Sequence, residues 1–537
     1  MGATRSRPIP RERAIVILGW IVTALLVMPL IWTTIPPLSD YPNHLTRVHL
    51  LGKLAEGAVV GPWSARWALL PNLAVDVPGV ALEPLLGLEG FGRAFLAATI
   101  LLHALGCRSL SRAILGRSSL RAVVVSAFVW SEPLLLGYAG FAFGFALALF
   151  ALARAVRVLE RGQTRDVAIG AALGLGVAVS HAAATATLVC CVVAFVIARA
   201  TTDRRLDRRA ILALAVVGPG LLYVGAWWLM RAASHGGVSL ATPGMIARAL
   251  LSTWTGLDAR VDRMSLAALA ALSATAAWVS RPLEVRRGPL AAAAALALLV
   301  AVFPSDIAGG IEVHGRFALG VWVITPFAFD GRDGAEGPTR RRIDLVGRLL
   351  IGLVVLRTAV VARSLRELDR EARDIRALFA REVPEGATVG VAWFFPDGDL
   401  AAADRVRTLA TLHIPTLAIV DRRAEVPTLY ELAGVQPIHY DGALPRRHRY
   451  AAGADAPRAR DLLATFEMVW LCGGPPDLAF ELAGRATIAG RVGRCTLYRR
   501  NAVADIASSA ASIGPSSWAP SPSFQAMGKA ARVCCAP

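Results

Sequence analysis

The chain has 537 residues, of which 55% are hydrophobic and 18% are charged, and its formal net charge is +18. Soluble globular domains usually have a larger charged share, so this composition excludes an ordinary soluble protein. The basic excess does not indicate a nucleic-acid partner, because the arginines stand in short clusters between apolar runs. Arginine clusters at alternate loops are typical of the cytoplasmic side of a membrane protein.

Apolar runs long enough to cross a bilayer recur over the first two thirds of the chain. Arg5, Arg7, Arg11 and Arg13 precede the first run, so we expect a cytoplasmic N-terminus and an extracytoplasmic C-terminus in the inner (cytoplasmic) membrane. We predict about 11 transmembrane helices, at 14–34, 91–110, 122–138, 140–158, 167–181, 182–199, 210–230, 264–280, 288–304, 317–330 and 344–362.

The first outer loop, 35–90, is too large for a plain connector. It opens with Ser39-Asp40-Tyr41-Pro42-Asn43-His44-Leu45-Thr46-Arg47, and we predict a helix from about Asp40 to Gly57. Pro42 suits the opening turn of such a helix. Asp40, His44 and Arg47 are spaced i, i+4 and i+7, so they share one face of it.

Residues 363–500 are predicted to form a small extracytoplasmic α/β domain that follows a transmembrane helical domain, 1–362. Cys472 and Cys495 flank predicted strands and could pair in an oxidising compartment, which their spacing alone leaves open. The Ser-, Ala- and Pro-rich segment 501–537 is predicted to be a disordered tail. Strands are predicted at 388–394, 416–420, 467–472 and 494–498, and helices near 399–412, 455–465 and 476–484. The fold class is therefore mainly α, a polytopic membrane protein.

This arrangement resembles the GT-C superfamily of membrane glycosyltransferases, which use polyprenyl-phosphate-linked sugars. Members have a long first outer loop with an acidic residue near its start, and Asp40 stands at that place. GT-C loops often have two adjacent acids, whereas Tyr41 follows Asp40 here. A group of bacterial multi-pass membrane proteins is also similar, sharing stretches like Pro37-Leu38-Ser39-Asp40-Tyr41-Pro42-Asn43-His44-Leu45, Pro71-Asn72-Leu73-Ala74, and Val426-Pro427-Thr428-Leu429 with Gly434-Val435-Gln436-Pro437.

The resemblance implies transfer of a sugar from a polyprenyl-phosphate-linked donor to an acceptor at the outer face. That reaction needs a base for the incoming hydroxyl and positive charge for the departing phosphate. Asp40 is the candidate base, and Glu132 is a candidate second carboxylate. Asp40 could instead only cap the following helix, with Arg47 as its surface ion partner. Glu132 could likewise serve only as a cap or breaker at a helix end.

Guanidinium groups bind phosphate oxygens in a bidentate manner, so outer arginines and histidines are candidates for substrate binding. His314 and Arg316 lie in the predicted loop 304–316. This loop could instead be an ordinary polar connector without a role in substrate binding, in which Arg316 extends to the membrane interface. No metal-ligand spacing stands out, so no metal ligand is assigned and the cofactor is unknown; a divalent cation on Asp40 and another carboxylate stays open. The candidate substrate-binding residues are His44, Arg47, Arg231, His314 and Arg316.

The expected partners are a lipid-linked sugar and membrane lipid, without nucleic acid, and the oligomeric state is not readable from the sequence. A multi-pass transporter or flippase is the main alternative function, and a membrane-anchored binding protein is another. Transporters usually carry acids or histidines inside their spans, and the span centres here are nearly free of acids. The break Gly218-Pro219-Gly220 in the seventh predicted span keeps the transporter open.

Overall fold

The computed structural model describes residues 10–230, 239–255, 257–280, 283–307, 312–331, 337–394, 402–429, 435–445, 449–450 and 457–501. These residues are mainly helical, which confirms the predicted fold class at that level. The helices are α1 (Pro10–Val27), α2 (Tyr41–Ala55), α3 (Asp76–Leu86), α4 (Leu88–Leu115), α5 (Leu120–Val125), α6 (Glu132–Leu135), α7 (Ala139–Arg161), α8 (Thr164–Ser180), α9 (Ala182–Asp203), α10 (Arg208–Ala215), α11 (Gly218–Met230), α12 (Pro243–Ser252), α13 (Ala259–Val279), α14 (Arg287–Val302), α15 (Val313–Ile324), α16 (Gly337–Glu382), α17 (Ala402–Leu409), α18 (Ala418–Arg422), α19 (Ala459–Thr465) and α20 (Pro476–Arg485).

The strands are short and fall into four sheets. They are β1 (Trp63–Ala65), β2 (Ser239–Leu240), β3 (Leu283–Val285), β4 (Pro304–Asp306), β5 (Phe329–Gly331), β6 (Val389–Phe394), β7 (Ile438–Tyr440), β8 (Arg449–Tyr450), β9 (Met468–Cys472), β10 (Ala486–Val492) and β11 (Cys495–Arg500). Apart from Asn501, the predicted tail 501–537 lies outside the described residues, as does Arg231.

Five of the described helices are long and apolar enough to cross a membrane, which supports a multi-pass membrane protein. The helices α10 and α11 meet at a 48° bend and together make a sixth candidate, and α14 is a shorter apolar helix. The predicted total of about 11 spans stays a prediction. The five candidates are Glu12–Leu30, Leu88–Leu115, Ala139–Arg161, Ala182–Asp203 and Arg341–Glu382.

The predicted span 122–138 is wrong as a continuous helix. After α5 the chain forms a 3₁₀ turn, Ser126–Val129, and Trp130 then leaves the helical region with φ −79° and ψ 63°. The next helix, α6, has only four residues and carries Pro133 in its first turn. Proline lacks the N–H that a continuing helix would need, so the two helical pieces cannot merge.

Arg357 of α16 stabilises this break. Its guanidinium donates to the carbonyl oxygens of Ala127 at 3.0 Å and Thr255 at 2.9 Å, and also to that of Trp130. It also lies 4.3 Å above the ring of Trp254. A helix break inside a bundle leaves carbonyls without partners, and a buried arginine that donates to several of them satisfies that requirement.

The last apolar helix and the charged helix that follows it form one unbroken helix, α16. The predicted domain boundary at 362/363 therefore falls within a continuous helix, and the division into domains stays a prediction. Asp369, in the second half of α16, accepts hydrogen bonds from the backbone N–H groups of Thr34 at 2.9 Å and Ile35 at 3.0 Å. This contact fixes the start of the first outer loop against α16.

A five-stranded mixed sheet follows α16, with strand order β10-β11-β9-β6-β8. The predicted strands 388–394, 467–472 and 494–498 are confirmed as β6, β9 and β11. The predicted strand 416–420 is wrong. These residues form part of a 3₁₀ turn, Ile414–Leu417, and the start of α18, because Pro415, the second residue of the turn, favours helical backbone. The strands β9 and β11 are antiparallel, and Cys472 lies opposite Cys495, to which it is disulfide-bonded.

A second, two-stranded sheet joins the first outer loop to the C-terminal region. The strand β1 pairs with β7 in antiparallel register, with Trp63 opposite Tyr440. Their ring centroids are 4.9 Å apart. The hydroxyl of Ser64 also donates to the carboxylate of Asp441 at 2.6 Å. These contacts place the C-terminal region directly over the loop that carries Asp40.

Candidate functional site

Asp40 stands at the start of α2, and its backbone is fixed by a neighbouring turn. The helix begins as predicted, with Pro42 in its first turn, but the Asp40 side chain makes no capping hydrogen bond. The interpretation of Asp40 as a helix cap is therefore wrong. The Asp40 N–H donates instead to the carbonyl of Leu136 at 3.1 Å, in the turn between α6 and α7.

The carboxylate of Asp40 faces a histidine from the C-terminal region. The Nε2 atom of His413 lies 3.3 Å from Oδ1 of Asp40, and their side chains are 2% and 21% exposed. His413 precedes the 3₁₀ turn Ile414–Leu417, where the hydroxyl of Thr416 donates to its carbonyl at 2.7 Å. Thr46 of α2 donates to the Thr416 hydroxyl at 3.4 Å, so the turn is docked on α2. Asp40 is thus partly open and held beside a buried imidazole.

Arg47 pairs with Asp76 and not with Asp40, so the interpretation of Arg47 as a surface ion partner of Asp40 is wrong. Its Nε lies 2.6 Å from Oδ1 of Asp76, the first residue of α3, and the two side chains are 1% and 0% exposed. Its Nη2 donates to Nδ1 of His44 at 2.9 Å. The charge of Arg47 is therefore used inside the protein, where it fixes α2 against α3.

His44 is held as a neutral ring. Its Nδ1 accepts from Arg47, and its Nε2 lies 3.2 Å from the carbonyl oxygen of Gly137, to which it donates. This pattern fits the tautomer with its proton on Nε2. Burial lowers the pKa of His44 to about 3, and the nearby charge of Arg47 acts in the same direction.

The turn between α6 and α7 contacts both Asp40 and Arg316. Gly137 has φ +84°, and a Cβ there would lie 2.5 Å from the backbone nitrogen of Asp40, so no side chain fits. The next residue, Tyr138, presents its ring to Arg316, whose guanidinium carbon lies 4.3 Å from the ring centroid. The guanidinium of Arg316 and Asp40 therefore lie on either side of the short turn that contains Gly137 and Tyr138.

Arg316 of α15 also lies against His181, which begins α9. Its Nη1 is 3.2 Å from Nε2 of His181, while Nδ1 of the same ring accepts from the N–H of Ala183 at 3.1 Å. A neutral imidazole has one acceptor nitrogen, so His181 cannot accept from both donors at once. A stronger acceptor, such as a phosphate oxygen, would therefore compete well for the Arg316 guanidinium.

The remaining predicted residues are Glu132, His314 and Arg231. Glu132 begins α6, is buried, and accepts a hydrogen bond from the hydroxyl of Ser252 in α12. His314 is buried in α15, two residues before Arg316. Arg231 lies outside the described residues. Among the described residues, no group of three or more His, Cys, Asp or Glu side chains is arranged to hold a metal ion.

The side-chain amide of Asn43 is a buried polar group of the motif. The amide of Asn43 is 1% exposed, and neither its oxygen nor its nitrogen makes a hydrogen bond within the described part of the chain. Asn43 is three residues after Asp40 and four before Arg47, so it lies on the same side of α2 as both. A buried amide without partners costs about 1–3 kcal/mol, which favours a bound water or a polar ligand at this place.

Among known proteins, only solved structures are similar to this chain. No family model matches the chain, and no curated protein matches it. The crystal structure of ArnT from Cupriavidus metallidurans is similar with a TM-score of 0.43 and 14% identity, over 91% of this chain and 98% of that one. The cryo-EM structure of the arabinofuranosyltransferase AftD from Mycobacteria gives a TM-score of 0.44 and 14% identity, over 91% of this chain but 40% of AftD.

Sequence reasoning missed two members of the site, His413 and Tyr138. His413 lies in an apolar run, Leu412-His413-Ile414-Pro415, inside a region predicted to end a helix and begin a strand. A histidine in an otherwise buried run is a usable signal, because such a ring needs a polar partner. Tyr138 lay at the end of a predicted span, where an aromatic side chain is usually assigned to the membrane interface.

Proposed function

We propose that this protein transfers a sugar from a polyprenyl-phosphate-linked donor to an acceptor hydroxyl at the outer face of the membrane, with Asp40 as the general base. One observation carries the proposal. A carboxylate that caps nothing is held 3.3 Å from His413, remains 21% exposed, and lies across a short turn from Arg316. A base and a phosphate-binding cation are the two groups that this transfer needs.

In the proposed reaction, the acceptor oxygen bonds to the anomeric carbon of the sugar while the bond from that carbon to the phosphate oxygen breaks. The acceptor proton moves to the carboxylate of Asp40, and the electron pair of the broken bond stays on the polyprenyl phosphate. His413 lies 3.3 Å from the Asp40 carboxylate and limits the positions that this carboxylate can take. A positioned carboxylate base supplies roughly 10²–10⁴-fold in rate.

Arg316 is the described cation best placed for the departing phosphate. Stacking on Tyr138 fixes the plane of its guanidinium, so the direction of its N–H groups is set before substrate arrives. His44 and Arg47 take a different role in this proposal, because their polar atoms are used in the buried pair with Asp76 and in the contact with Gly137. They position Asp40 by fixing α2.

The test is sugar transfer in proteoliposomes, using a panel of synthetic polyprenyl-phosphate sugars and an extract of envelope acceptors. We expect Asp40→Asn to lower the rate roughly 10²–10⁴-fold. His413→Gln should lower the rate less than Asp40→Asn does. Glu56→Gln is a matched control, because this carboxylate is 58% exposed and pairs only with Lys53 within the described residues. Full turnover by Asp40→Asn, with an unchanged melting temperature, would overturn the assignment.

A transporter or flippase is the second candidate, and the 48° bend between α10 and α11 favours it. Bent or broken helices are a feature of many transporters. The two functions separate in the same proteoliposomes. A flippase would move the labelled lipid between leaflets without forming a glycosylated product, and Asp40→Asn would leave that movement unchanged.

A further inference from the structure

A basic groove lies at the end of the bundle opposite Asp40. It has a volume of about 530 Å³ and is formed by the last turn of α7, the end of α9 and the start of α10. Five arginines and one carboxylate line it, together with Gly162 and Leu212. The charged residues are Arg161, Arg199, Arg205, Asp207, Arg208 and Arg209. Its formal charge is therefore strongly positive.

Two of the five arginines are held by the protein. Arg199 pairs with Asp207 at 2.9 Å, and Arg209 donates to the carbonyl of Glu160 at 2.6 Å. Gly162 follows α7 with φ +67°, and the Arg209 side chain packs against it. These contacts build the walls of the groove.

The other three arginines, Arg161, Arg205 and Arg208, are exposed, and their side chains find no acceptor within the described ranges. Another arginine cluster, around Asp330, is arranged differently. Asp330 alone accepts from Arg117, Arg121 and Arg286 at 3.2, 3.3 and 3.0 Å. Arginine is preferred on the inner side of membrane proteins, which explains why cations are present here. That preference does not explain why three arginines that pair with no described carboxylate surround one groove.

The length of α7 would place the groove near the headgroups of a bilayer. The helix α7 begins at Ala139, beside the turn that holds Asp40, and ends at Arg161 in the groove. Its 23 residues span about 35 Å, slightly more than the hydrocarbon core of a bilayer. Leu206 and Ile211, next to the groove, are 58% and 57% exposed, which suits contact with acyl chains and not with water.

We propose that this groove binds the headgroup of an anionic phospholipid of the leaflet opposite Asp40. The phosphodiester and any further anionic group of the lipid would be held by Arg161, Arg205 and Arg208, and the first acyl segments would run past Leu206 and Ile211. Basic pockets between transmembrane helices on the cytoplasmic side are suited to such headgroups. The proposal does not depend on the proposed sugar transfer, because the groove shares no residue with that site.

The experiment is a lipid titration of the full-length, delipidated protein in detergent, with bound lipid counted by native mass spectrometry. Phosphatidylglycerol and phosphatidylcholine with the same acyl chains are the two probes, and inorganic phosphate is added as a competitor. We expect phosphatidylglycerol to bind preferentially. The double variant Arg205→Gln/Arg208→Gln should lose affinity for it roughly 25-fold, about fivefold for each arginine near an anionic lipid.

The matched control is Arg260→Gln/Arg263→Gln, which removes the same charge from two exposed arginines of α13, away from the groove. This control should retain phosphatidylglycerol affinity within about twofold. All variants should melt as the wild type, because the altered side chains are exposed. Equal binding of both lipids, an equal loss in the control, or full displacement by millimolar phosphate would each overturn the proposal, the last by identifying a soluble anion as the ligand.

Discussion

Removing the charge of Asp76 should destabilise the protein strongly, because Arg47 would then be left charged and buried. The two groups are 2.6 Å apart, and their side chains are 0% and 1% exposed, so solvent cannot screen the change. Breaking one side of a buried ion pair costs about 3–5 kcal/mol. We therefore expect Asp76→Asn to lower the free energy of unfolding by that amount, measured by denaturant titration of the detergent-solubilised protein with tryptophan fluorescence.

Two further variants make this prediction specific. Replacing both partners, as Arg47→Leu/Asp76→Leu, should recover most of the loss, since an apolar pair of similar size removes the desolvation cost together with the attraction. Lys53→Ala should leave the free energy of unfolding almost unchanged, because Lys53 and Glu56 are 44% and 58% exposed and solvent screens their attraction. If Asp76→Asn cost no more than Lys53→Ala, the Arg47 pair would not be the element that fixes α2, and the reasoning would fail.

Two other predictions concern the same turn and helix. The pKa of His44 is about 3 in the folded protein and about 6.5 when unfolded, so the unfolded chain binds the extra proton first as the pH falls. Stability should thus fall below pH 6.5, by about 2 kcal/mol at pH 5, and His44→Asn should show a shallower pH dependence of its unfolding midpoint. Gly137→Ala should lower sugar transfer at least tenfold, because its Cβ would lie 2.5 Å from the Asp40 nitrogen. Gly386→Ala, with φ +75° and nothing within 4 Å, carries the same backbone strain without that contact and should leave transfer unchanged.

The parts of the fold that were predictable are those that local patterns determine. The helix after Asp40 follows from its proline and its spacing, and the strands β6, β9 and β11 follow from runs of β-type residues. The span 122–138 was wrong because hydropathy does not register the break at Pro133. The strand 416–420 was wrong because Pro415 favours a helical turn there. A short apolar run near a proline reads equally as strand, helix or turn.

Only part of the site could be predicted, because its other residues are far from Asp40 in the sequence. Asp40, His44 and Arg47 share a face that spacing alone reveals, yet the partner of Arg47 is Asp76 and that of Asp40 is His413. No periodicity encodes contacts between segments such as Thr46 and Thr416, which are 370 residues apart. Such pairings depend on how α2 and the 3₁₀ turn Ile414–Leu417 pack in three dimensions.

The way these distant segments meet bears on how the site could work. The loop that carries Asp40 is attached to the C-terminal half along its length. Asp369 holds its start, β7 pairs with β1 in its middle, and His413 contacts Asp40 itself. A base must be held within about half an ångström of its productive position, which a loop fixed at one end does not achieve. The C-terminal region therefore has a positional role in addition to any binding role, and a substrate that displaced it would also release Asp40.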